Sequence, residues 1–354
     1  MMKRKIRCVV VLVPLCLAVL ACGSKSSSSS SSREAAPAYN QLTVYTALPD
    51  QEIPTYFNAF EKETGIHINY VRLSAGEMAA RIAVEKNNPQ ASVMHGGSSD
   101  TYVAANKDGL LVPYQSPELT NIPAQYRDSD GVWNPIYVGA IAFACNTEWF
   151  KENNMALPTS WADLIKPQFK GQVSMAHPAT SGTSYTILAT LVQLFGEDEA
   201  FSYLRQLNAN VRQYTKAGAA PPQEVALGEA AIAITFSHDG LKPKTEGYPV
   251  ELVFPSEGTG YEVGAAALIK GGFEREQENA RRFIDWSMSV RCQELYIDSG
   301  SNRLPVNTRA RYTPGLVSLD DLPIINYDAV WAGENKRAFV EKFDAQIRDQ
   351  SDLK

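Results

Sequence analysis

The chain has 354 residues, of which 44% are hydrophobic and 10% aromatic, so it can bury cores and wholesale disorder is excluded. This length exceeds what a single domain commonly holds and suits two domains. The formal net charge of −6 at pH 7 argues against bulk affinity for nucleic acid or anionic lipid headgroups. We therefore expect no nucleic-acid partner.

The N-terminus has the pattern of an export signal. Positive residues cluster between residues 3 and 7, and an apolar stretch runs from Cys8 to Ala21. This stretch falls short of the ~20 residues needed to cross a bilayer, which favours a signal peptide over residues 1–21. The small residues around Cys22 resemble the bacterial lipobox and predict that Cys22 is acylated. A cysteine that lies by chance near an ordinary cleavage site is the alternative.

The segment from residue 22 to 41 is interpreted as a tether. It contains an unbroken serine run from Ser26 to Ser32, and polyserine behaves as a flexible linker. We expect a monomer held at Cys22 on the periplasmic side of a bacterial membrane, which it contacts only through the lipid.

Of the remaining cysteines, Cys145 and Cys292 could form a disulfide or stay as two buried thiols, and we favour the thiols.

The first half of the folded part alternates between strand and helix patterns. Residues 42–47 read as a strand, after which Ile53, Tyr56, Phe57 and Phe60 share one helical face that ends at Gly65. A further strand covers residues 66–70. Residues 74–77 form a capping box that opens a helix, and residues 91–95 form a short strand before a helix that ends near residue 109.

The second half follows the same alternation. Strands are predicted at 136–145, 173–176, 230–235, 249–254 and 262–269. Helices are predicted from Ser160, from the turn 178–184 to Phe195, from Glu274 to Met288 and in the tail past Val330. Strands alternating with helices predict an α/β fold with mostly parallel sheets.

No enzyme signature is present. The sequence contains no GxxxxGK[ST], HExxH, GxSxG or EF-hand pattern. The run Ser237-His238-Asp239 resembles a catalytic triad only in print, because adjacent residues cannot close the required chain of hydrogen bonds on one another. We expect no catalytic residue, no metal and no cofactor.

Three loops combine small residues, hydroxyl groups and a helix N-terminus. They are 74–76, 96–99 and 180–184. Such loops favour an anion, because backbone N–H groups and the helix dipole point at it. The third loop is the least ordinary, with hydroxyls around one glycine. The alternative is that these residues only cap their helices.

A second group consists of His238, Asp239 and Glu257, one imidazole and two carboxylates that follow two separate strands. Carboxylates that accept hydrogen bonds suit sugar hydroxyls or an amine, and they repel a phosphate. The alternative is a solvated loop.

At this point a family resemblance is evident. The segments that carry it are 42–45, 60–66 (FEKETGI), 108–111, 180–183, 213–216 and 257–264. Across nearly all of residues 42–307, the chain resembles periplasmic solute-binding proteins of ABC importers, in the superfamily of ferric-binding and phosphorylated-solute-binding proteins. The resemblance implies partnership with an ABC permease and ATPase, and capture of a small anionic solute.

The resemblance also implies a type II periplasmic-binding-protein fold, with two α/β lobes that close on a ligand about a hinge. Lobe one would comprise residues 42–138 and 264–354, with the C-terminal helices included, and lobe two residues 139–263. The crossovers between the lobes would be 136–142 and 257–264.

Departures from the ferric-binding pattern restrict the range of ligands that we expect. Where those relatives have tandem tyrosines, this chain has Phe236-Ser237, and the carboxylate that binds their metal falls on Gly97. Their N-terminal histidine falls near Pro49. The anion turn is retained at residues 181–183, and Ser98 lies where another anion contact would be.

A retained anion turn with a His-Asp pair is similar to the hexose-phosphate-binding branch. The resemblance implies that hydroxyls hold the phosphate and that the pair, with a glutamate, holds sugar hydroxyls. The expected ligand-binding residues are Thr46, Ser74, Gly97, Ser98, Thr180, Ser181, Gly182, Thr183, Ser184, Lys216, His238, Asp239 and Glu257. The alternatives are a 2-aminoethylphosphonate binder, a ferric iron binder with another ligand set and, in a different class, a phosphate-ester hydrolase.

Overall fold

The computed structural model describes residues 39–314 and 316–348. The predicted signal peptide, Cys22 and the serine run lie outside the described residues. The strands are β1 Gln41–Thr46, β2 His67–Arg72, β3 Val93–Ser98, β4 Leu111–Val112, β5 Trp133–Asn146, β6 Val173–Ala176, β7 Val211–Thr215, β8 Ile232–Phe236, β9 Val250–Val253, β10 Tyr261–Ile269 and β11 Leu304–Pro305. The α-helices are α1 Ile53–Thr64, α2 Ala75–Val84, α3 Ser99–Lys107, α4 Thr147–Glu152, α5 Trp161–Leu164, α6 Gly182–Phe195, α7 Glu197–Asn208, α8 Pro221–Ala226, α9 Ser237–Thr245, α10 Gln277–Met288, α11 Val290–Asp298 and α12 Ala329–Phe343.

Local sequence signals explain the first helices. The four apolar residues with helical spacing in α1 are its buried residues, and Gly65 ends the helix at φ 72°, a left-handed conformation that glycine adopts without strain. Helix α2 begins with the predicted capping box, in which the Ser74 backbone N–H and hydroxyl both donate to the Glu77 carboxylate. Both predictions are confirmed.

One sheet builds what we call the first lobe. Its strand order is β2-β1-β3-β10-β5, with β4 added beside β10 and β11 beside β5. Strands β1, β2 and β3 are parallel, whereas β10 runs antiparallel to both β3 and β5. Helices α1, α2, α3, α10 and α11 belong to this lobe.

A second sheet builds the second lobe, together with helices α4–α9. It continues from β5 in the order β5-β8-β6-β7, and β9 pairs with the other edge of β5. Strand β6 is parallel to both β7 and β8. The predicted α/β architecture with two lobes is therefore confirmed.

Strand β5 belongs to both sheets. All 14 of its residues are buried, as expected for a strand covered on both faces. Residues 133–140 pair with β10 in the first lobe, and residues 141–146 pair with β8 and β9 in the second. Because the chain crosses between the lobes here, β5 and its partner β10 place the hinge at the base of the cleft.

Each lobe has its own apolar core. One cluster of buried side chains fills the first lobe, and another fills the second lobe. Helix α12 contributes Phe339 and Phe343 to the second cluster. The exact lobe boundaries stay a prediction.

Cys145 and Cys292 are both buried and unpaired, in agreement with the favoured thiol interpretation.

Within the part of the chain that the structure describes, no helix is both long enough and apolar enough to cross a membrane.

Candidate functional site

A cleft lies between the lobes. Its walls follow the carboxyl ends of β1 and β3 in the first lobe and of β6 and β8 in the second, where open α/β sheets bind ligands. Seven of the residues predicted from the sequence line it: Ser74, Gly97, Ser181, Gly182, Thr183, His238 and Asp239.

The turn 181–183 lines the cleft. The Ser181 hydroxyl accepts from the backbone N–H of Ser184 at 3.3 Å and so caps helix α6. Residues Gly182 and Thr183 open that helix, so their backbone N–H groups have no partner inside it. This part of the cleft therefore combines the positive end of a helix with hydroxyl groups, which suits an anion.

Glycines let other chain segments approach the turn. A Cβ added at Gly218 would lie 2.0 Å from Thr183 Oγ1, and one added at Gly182 would lie 2.7 Å from Ser98 Oγ. Only glycine fits at these two positions without displacing a hydroxyl that faces the turn.

The two lobes touch at α2. The backbone N–H of Gly76 donates to the carbonyl of Thr180 at 2.8 Å, across the cleft. A Cβ at Gly76 would lie 2.3 Å from the carbonyl oxygen of Ala179, which belongs to the opposite lobe. The structure is therefore a closed arrangement of the lobes.

The same cleft is lined by a buried imidazole and two buried carboxyl groups. His238 and Asp239 lie in the first turn of α9, and Glu262 enters from β10, opposite Gly139 of β5. His238 Nε2 lies 3.5 Å from Glu262 Oε1 and 3.8 Å from Asp239 Oδ2. His238 Nδ1 is buried and has no hydrogen-bond partner among the described residues. These groups can accept hydrogen bonds from hydroxyls or from an amine.

Burial shifts the protonation of this group toward neutral forms. It lowers the pKa of His238 well below its usual value, and the nearby Arg303 charge acts in the same direction. It raises the pKa of Glu262 well above its usual value and that of Asp239 to about 6, and in both cases Arg303 acts in the opposite direction. At neutral pH, His238 is therefore uncharged, and Asp239, with a pKa of about 6, is mostly ionised.

The raised pKa of Asp239 predicts a pH effect on stability. Because the folded-state pKa of about 6 exceeds the ordinary 3.8, this carboxyl group favours folding at low pH, and the contribution is lost as the pH rises through 6. The full effect is roughly 3 kcal/mol. We expect Asp239→Asn to match the ligand-free parent near pH 4 and to become more stable than the parent by pH 7. Urea unfolding across this range measures the difference, and a difference that does not change with pH would contradict the assignment.

Arg303 places a cation at the floor of the cleft. Its Nη1 donates to the carboxylate of Glu52, and its guanidinium lies 4.8 Å from the centre of the Tyr137 ring. Its Nε is buried without a hydrogen-bond partner in the described part of the chain. The hydroxyl of Tyr137 in turn accepts from the backbone N–H of Gly97 at 3.1 Å. Arg72, on β2, adds a second cation to the cleft wall.

Four cleft residues with ionisable side chains are absent from the sequence-based prediction: Arg72, Tyr137, Glu262 and Arg303. The sequence does contain a signal for Glu262, which is the single charged residue of an otherwise apolar strand. Burying a carboxyl group costs free energy, so its place in such a strand indicates a functional role. Arg303 follows β10 by two helices, and no local pattern brings it to the cleft.

The structure does not bring Glu257 into the cleft. Its carboxylate accepts from the backbone N–H groups of Trp161 at 3.2 Å and Ala162 at 3.4 Å, at the start of α5. This is the stabilising position for a negative charge at a helix N-terminus. Glu262, five residues later, is the carboxyl group that lies beside His238.

Five other predicted residues do not line the cleft, and four of them have partners elsewhere. Thr46 Oγ1 lies 3.1 Å from His95 Nδ1, and Ser98 Oγ donates to Asp100 at 3.0 Å. Thr180 Oγ1 donates to the backbone carbonyl of Lys216 at 2.9 Å.

The fifth of these residues is Ser184. Its hydroxyl is buried and has no hydrogen-bond partner within the described ranges. Those ranges also contain no group of three or more His, Cys, Asp or Glu arranged to hold a metal ion.

Comparison with known proteins shows which family this sequence matches. Residues 96–330 match the family described as bacterial extracellular solute-binding proteins. An uncharacterised protein of Haemophilus influenzae is 38% identical over 88% of this chain and 92% of that protein. The Fe(3+)-binding periplasmic protein of Serratia marcescens is 26% identical over 86% of this chain and 90% of that protein.

Among solved structures, a similar one is the periplasmic binding protein AfuA of Actinobacillus pleuropneumoniae with exogenous fructose-6-phosphate bound. It is 35% identical, with a TM-score of 0.84, over 87% of this chain and 98% of that chain. The likeness confirms the predicted type II periplasmic-binding-protein fold.

Proposed function

Because the chain belongs to the family of bacterial extracellular solute-binding proteins, we propose that it captures a sugar phosphate, such as a hexose phosphate, in the cleft between its lobes. Members of this family bind solutes for transport and do not transform them. The chain would accordingly deliver its solute to the permease and ATPase of an ABC importer, and it would not be an enzyme.

The observation that carries the proposal is that one cleft combines two chemistries. The turn 181–183 offers free backbone N–H groups and hydroxyls, which suit a phosphate. The buried group of His238, Asp239 and Glu262 lines the same cleft, and its lone pairs suit hydroxyls. A sugar phosphate carries both kinds of group at opposite ends. The similarity to a protein with bound fructose-6-phosphate supports this assignment.

A 2-aminoethylphosphonate is the second candidate. The observation that favours it is Asp239, which is mostly ionised at neutral pH and could pair with an ammonium group. The phosphonate would then occupy the same turn as a phosphate. Compared with a hexose phosphate, this smaller ligand would leave more of the polar group without partners, which is costly.

Ferric iron is the third candidate. Phe236 and Ser237 occupy the positions where the ferric-binding pattern implies tyrosines. In this chain Phe236 packs against the imidazole of His238 with ring centres 5.7 Å apart. An iron ligand set would have to be built from other residues.

A calorimetric screen with purified protein tests the proposal. The ligands are fructose-6-phosphate, glucose-6-phosphate, 2-aminoethylphosphonate, inorganic phosphate and ferric citrate. We expect the hexose phosphates to bind most tightly and to raise the melting temperature, because they bind only the folded state. Binding of 2-aminoethylphosphonate alone would replace the proposal with the second candidate. Binding of iron alone would replace it with the third, and turnover of a phosphate ester would show an enzyme.

We also propose that Cys22 carries a lipid that holds the protein at the outer face of a bacterial cytoplasmic membrane or at an outer membrane. Cys22→Ser is expected to leave the protein unprocessed or to release it from the membrane fraction, because the acceptor thiol is gone. Fractionation followed by mass spectrometry of the N-terminus measures both outcomes. A mature, membrane-held Cys22→Ser protein would refute the anchor.

A further inference from the structure

A buried carboxylate lies behind the anion turn. Asp100, in the first turn of α3, is 1% exposed. From its own lobe it accepts hydrogen bonds from Ser98 Oγ at 3.0 Å and Thr101 Oγ1 at 3.1 Å. From the second lobe it accepts one from Thr186 Oγ1 of α6 at 2.8 Å.

The C-terminal part of the chain completes the surroundings of Asp100. Lys336, on α12, donates to it from Nζ at 3.2 Å, and the hydroxyl of Tyr327 donates at 3.2 Å. The Lys336 side chain is 12% exposed, and its Nζ lies 4.4 Å from the centre of the Tyr185 ring on α6. Burial lowers the pKa of Lys336, whereas the charge of Asp100 acts in the opposite direction. The ion pair is thus almost dry, and its donors come from both lobes.

Helix α12 is attached to both lobes by different contacts. Phe339 and Phe343 anchor it in the apolar core of the second lobe. Against the first lobe it packs through Gly333, where a Cβ would lie 2.5 Å from Val103 Cβ on α3. If the lobes separate, Thr186 leaves Asp100, and α12 can follow only one of the two lobes.

We propose that Asp100 and Lys336 form an interlobe clamp that stabilises the closed arrangement and so positions the turn 181–183 against the first lobe. Both are positioning residues, because neither lines the cleft. The inference rests on the proposed function only for its effect on solute affinity. The effect on closure itself needs no solute.

The energetics of a buried ion pair determine the expected result. Removing one partner leaves the other charge uncompensated in a dry site, which is far more costly than removing both. Separation of the lobes would let water reach Asp100. Lys336→Met is therefore expected to favour the open form, and Asp100→Asn combined with Lys336→Met is expected to restore closure.

The backbone N–H of Gly76 reports closure directly. It lies in the first turn of α2, where no intrahelical partner exists, and its acceptor is Thr180 of the opposite lobe. Hydrogen exchange at Gly76 in solute-free, full-length protein thus measures how often the lobes separate. We expect exchange about tenfold faster in Lys336→Met, whereas binding of fructose-6-phosphate should weaken only in proportion to the closed fraction that the solute-free protein loses.

Lys342→Met is the matched control. Lys342 lies on the same helix, pairs with Glu197 at 2.5 Å and lies 4.3 Å from the Phe201 ring centre, but all its partners belong to the second lobe. It should leave the Gly76 exchange unchanged, and melting temperatures of all variants show that each is folded.

Three results would each overturn the clamp. They are exchange at Gly76 as slow in Lys336→Met as in the parent, exchange accelerated equally in Lys342→Met, and exchange in the double variant that does not return toward the parent rate. If the proposed solute is wrong, only the affinity measurement fails. The exchange rate at Gly76 still shows whether the clamp stabilises the closed arrangement.

Discussion

Replacing Gly76 with alanine is expected to weaken solute binding by about 100-fold or more, which corresponds to ~2.7 kcal/mol. The added Cβ would lie 2.3 Å from the carbonyl oxygen of Ala179 and 2.7 Å from that of Thr180, and both atoms belong to the backbone of the opposite lobe. Neither can move aside as a side chain would, so the closed form is excluded and little of the binding-competent population remains. Calorimetry with fructose-6-phosphate measures the loss.

Stability separates this effect from misfolding. Gly76 lies in a helix and does not need a positive φ, so each lobe can still fold with alanine there, and the solute-free variant should still unfold cooperatively. Gly109→Ala is the control, because Gly109 has open space around it but a φ of 68°. It should lower stability and leave affinity unchanged. Parent-like affinity in Gly76→Ala would contradict the role of this contact.

The second large effect is expected at Glu262. Removing its carboxyl group by Glu262→Ala should weaken a hexose phosphate by about 100-fold, because a site built to pair hydroxyls leaves them without partners. Inorganic phosphate, which has no sugar hydroxyls to place beside Glu262, should change in affinity by less than about threefold. The ratio of the two dissociation constants, from competition calorimetry, is the measured quantity.

Glu257→Ala is the matched control for this experiment. Glu257 has the same chemistry five residues away, but it caps α5 outside the cleft. Its loss should reduce stability by about 1 kcal/mol and leave both affinities unchanged. If Glu257→Ala reduces affinity for the hexose phosphate and Glu262→Ala does not, the assignment of the two carboxylates is reversed.

The sequence predicts features that depend on neighbouring residues. The apolar spacing of α1, its end at Gly65 and the Ser74–Glu77 capping box are all local, and all appear in the structure. The sequence likewise predicts the strand 173–176 with its observed bounds and the start of the helix at Trp161 to within one residue.

Features that depend on strand register could not be predicted. Whether Glu257 or Glu262 faces the cleft depends on how β10 pairs with β5, where Glu262 lies opposite Gly139. A shift by one residue would turn the side chain to the other face of the sheet. This register is set by long-range pairing, which a single sequence does not display.

Competition within the protein explains Ser98. Its hydroxyl and its place at the start of α3 are typical of an anion contact. In the structure the Asp100 carboxylate, two residues away, accepts that hydrogen bond. Predicting this would require knowing that Thr186 and Lys336 meet at the same carboxylate, which only the tertiary structure reveals.

The position of β10 has a consequence for the order in which the chain assembles. The sheet of the second lobe uses one continuous stretch, from β5 to β9, whereas the first sheet has β10 inserted between β3 and β5. During synthesis, one edge of β3 therefore stays unpaired until β10 has been made. The loop between these two strands is long, and closing a long loop is slow. We expect the second sheet to form before the first sheet is complete, with the exposed edge of β3 as the segment most prone to aggregation in the interval.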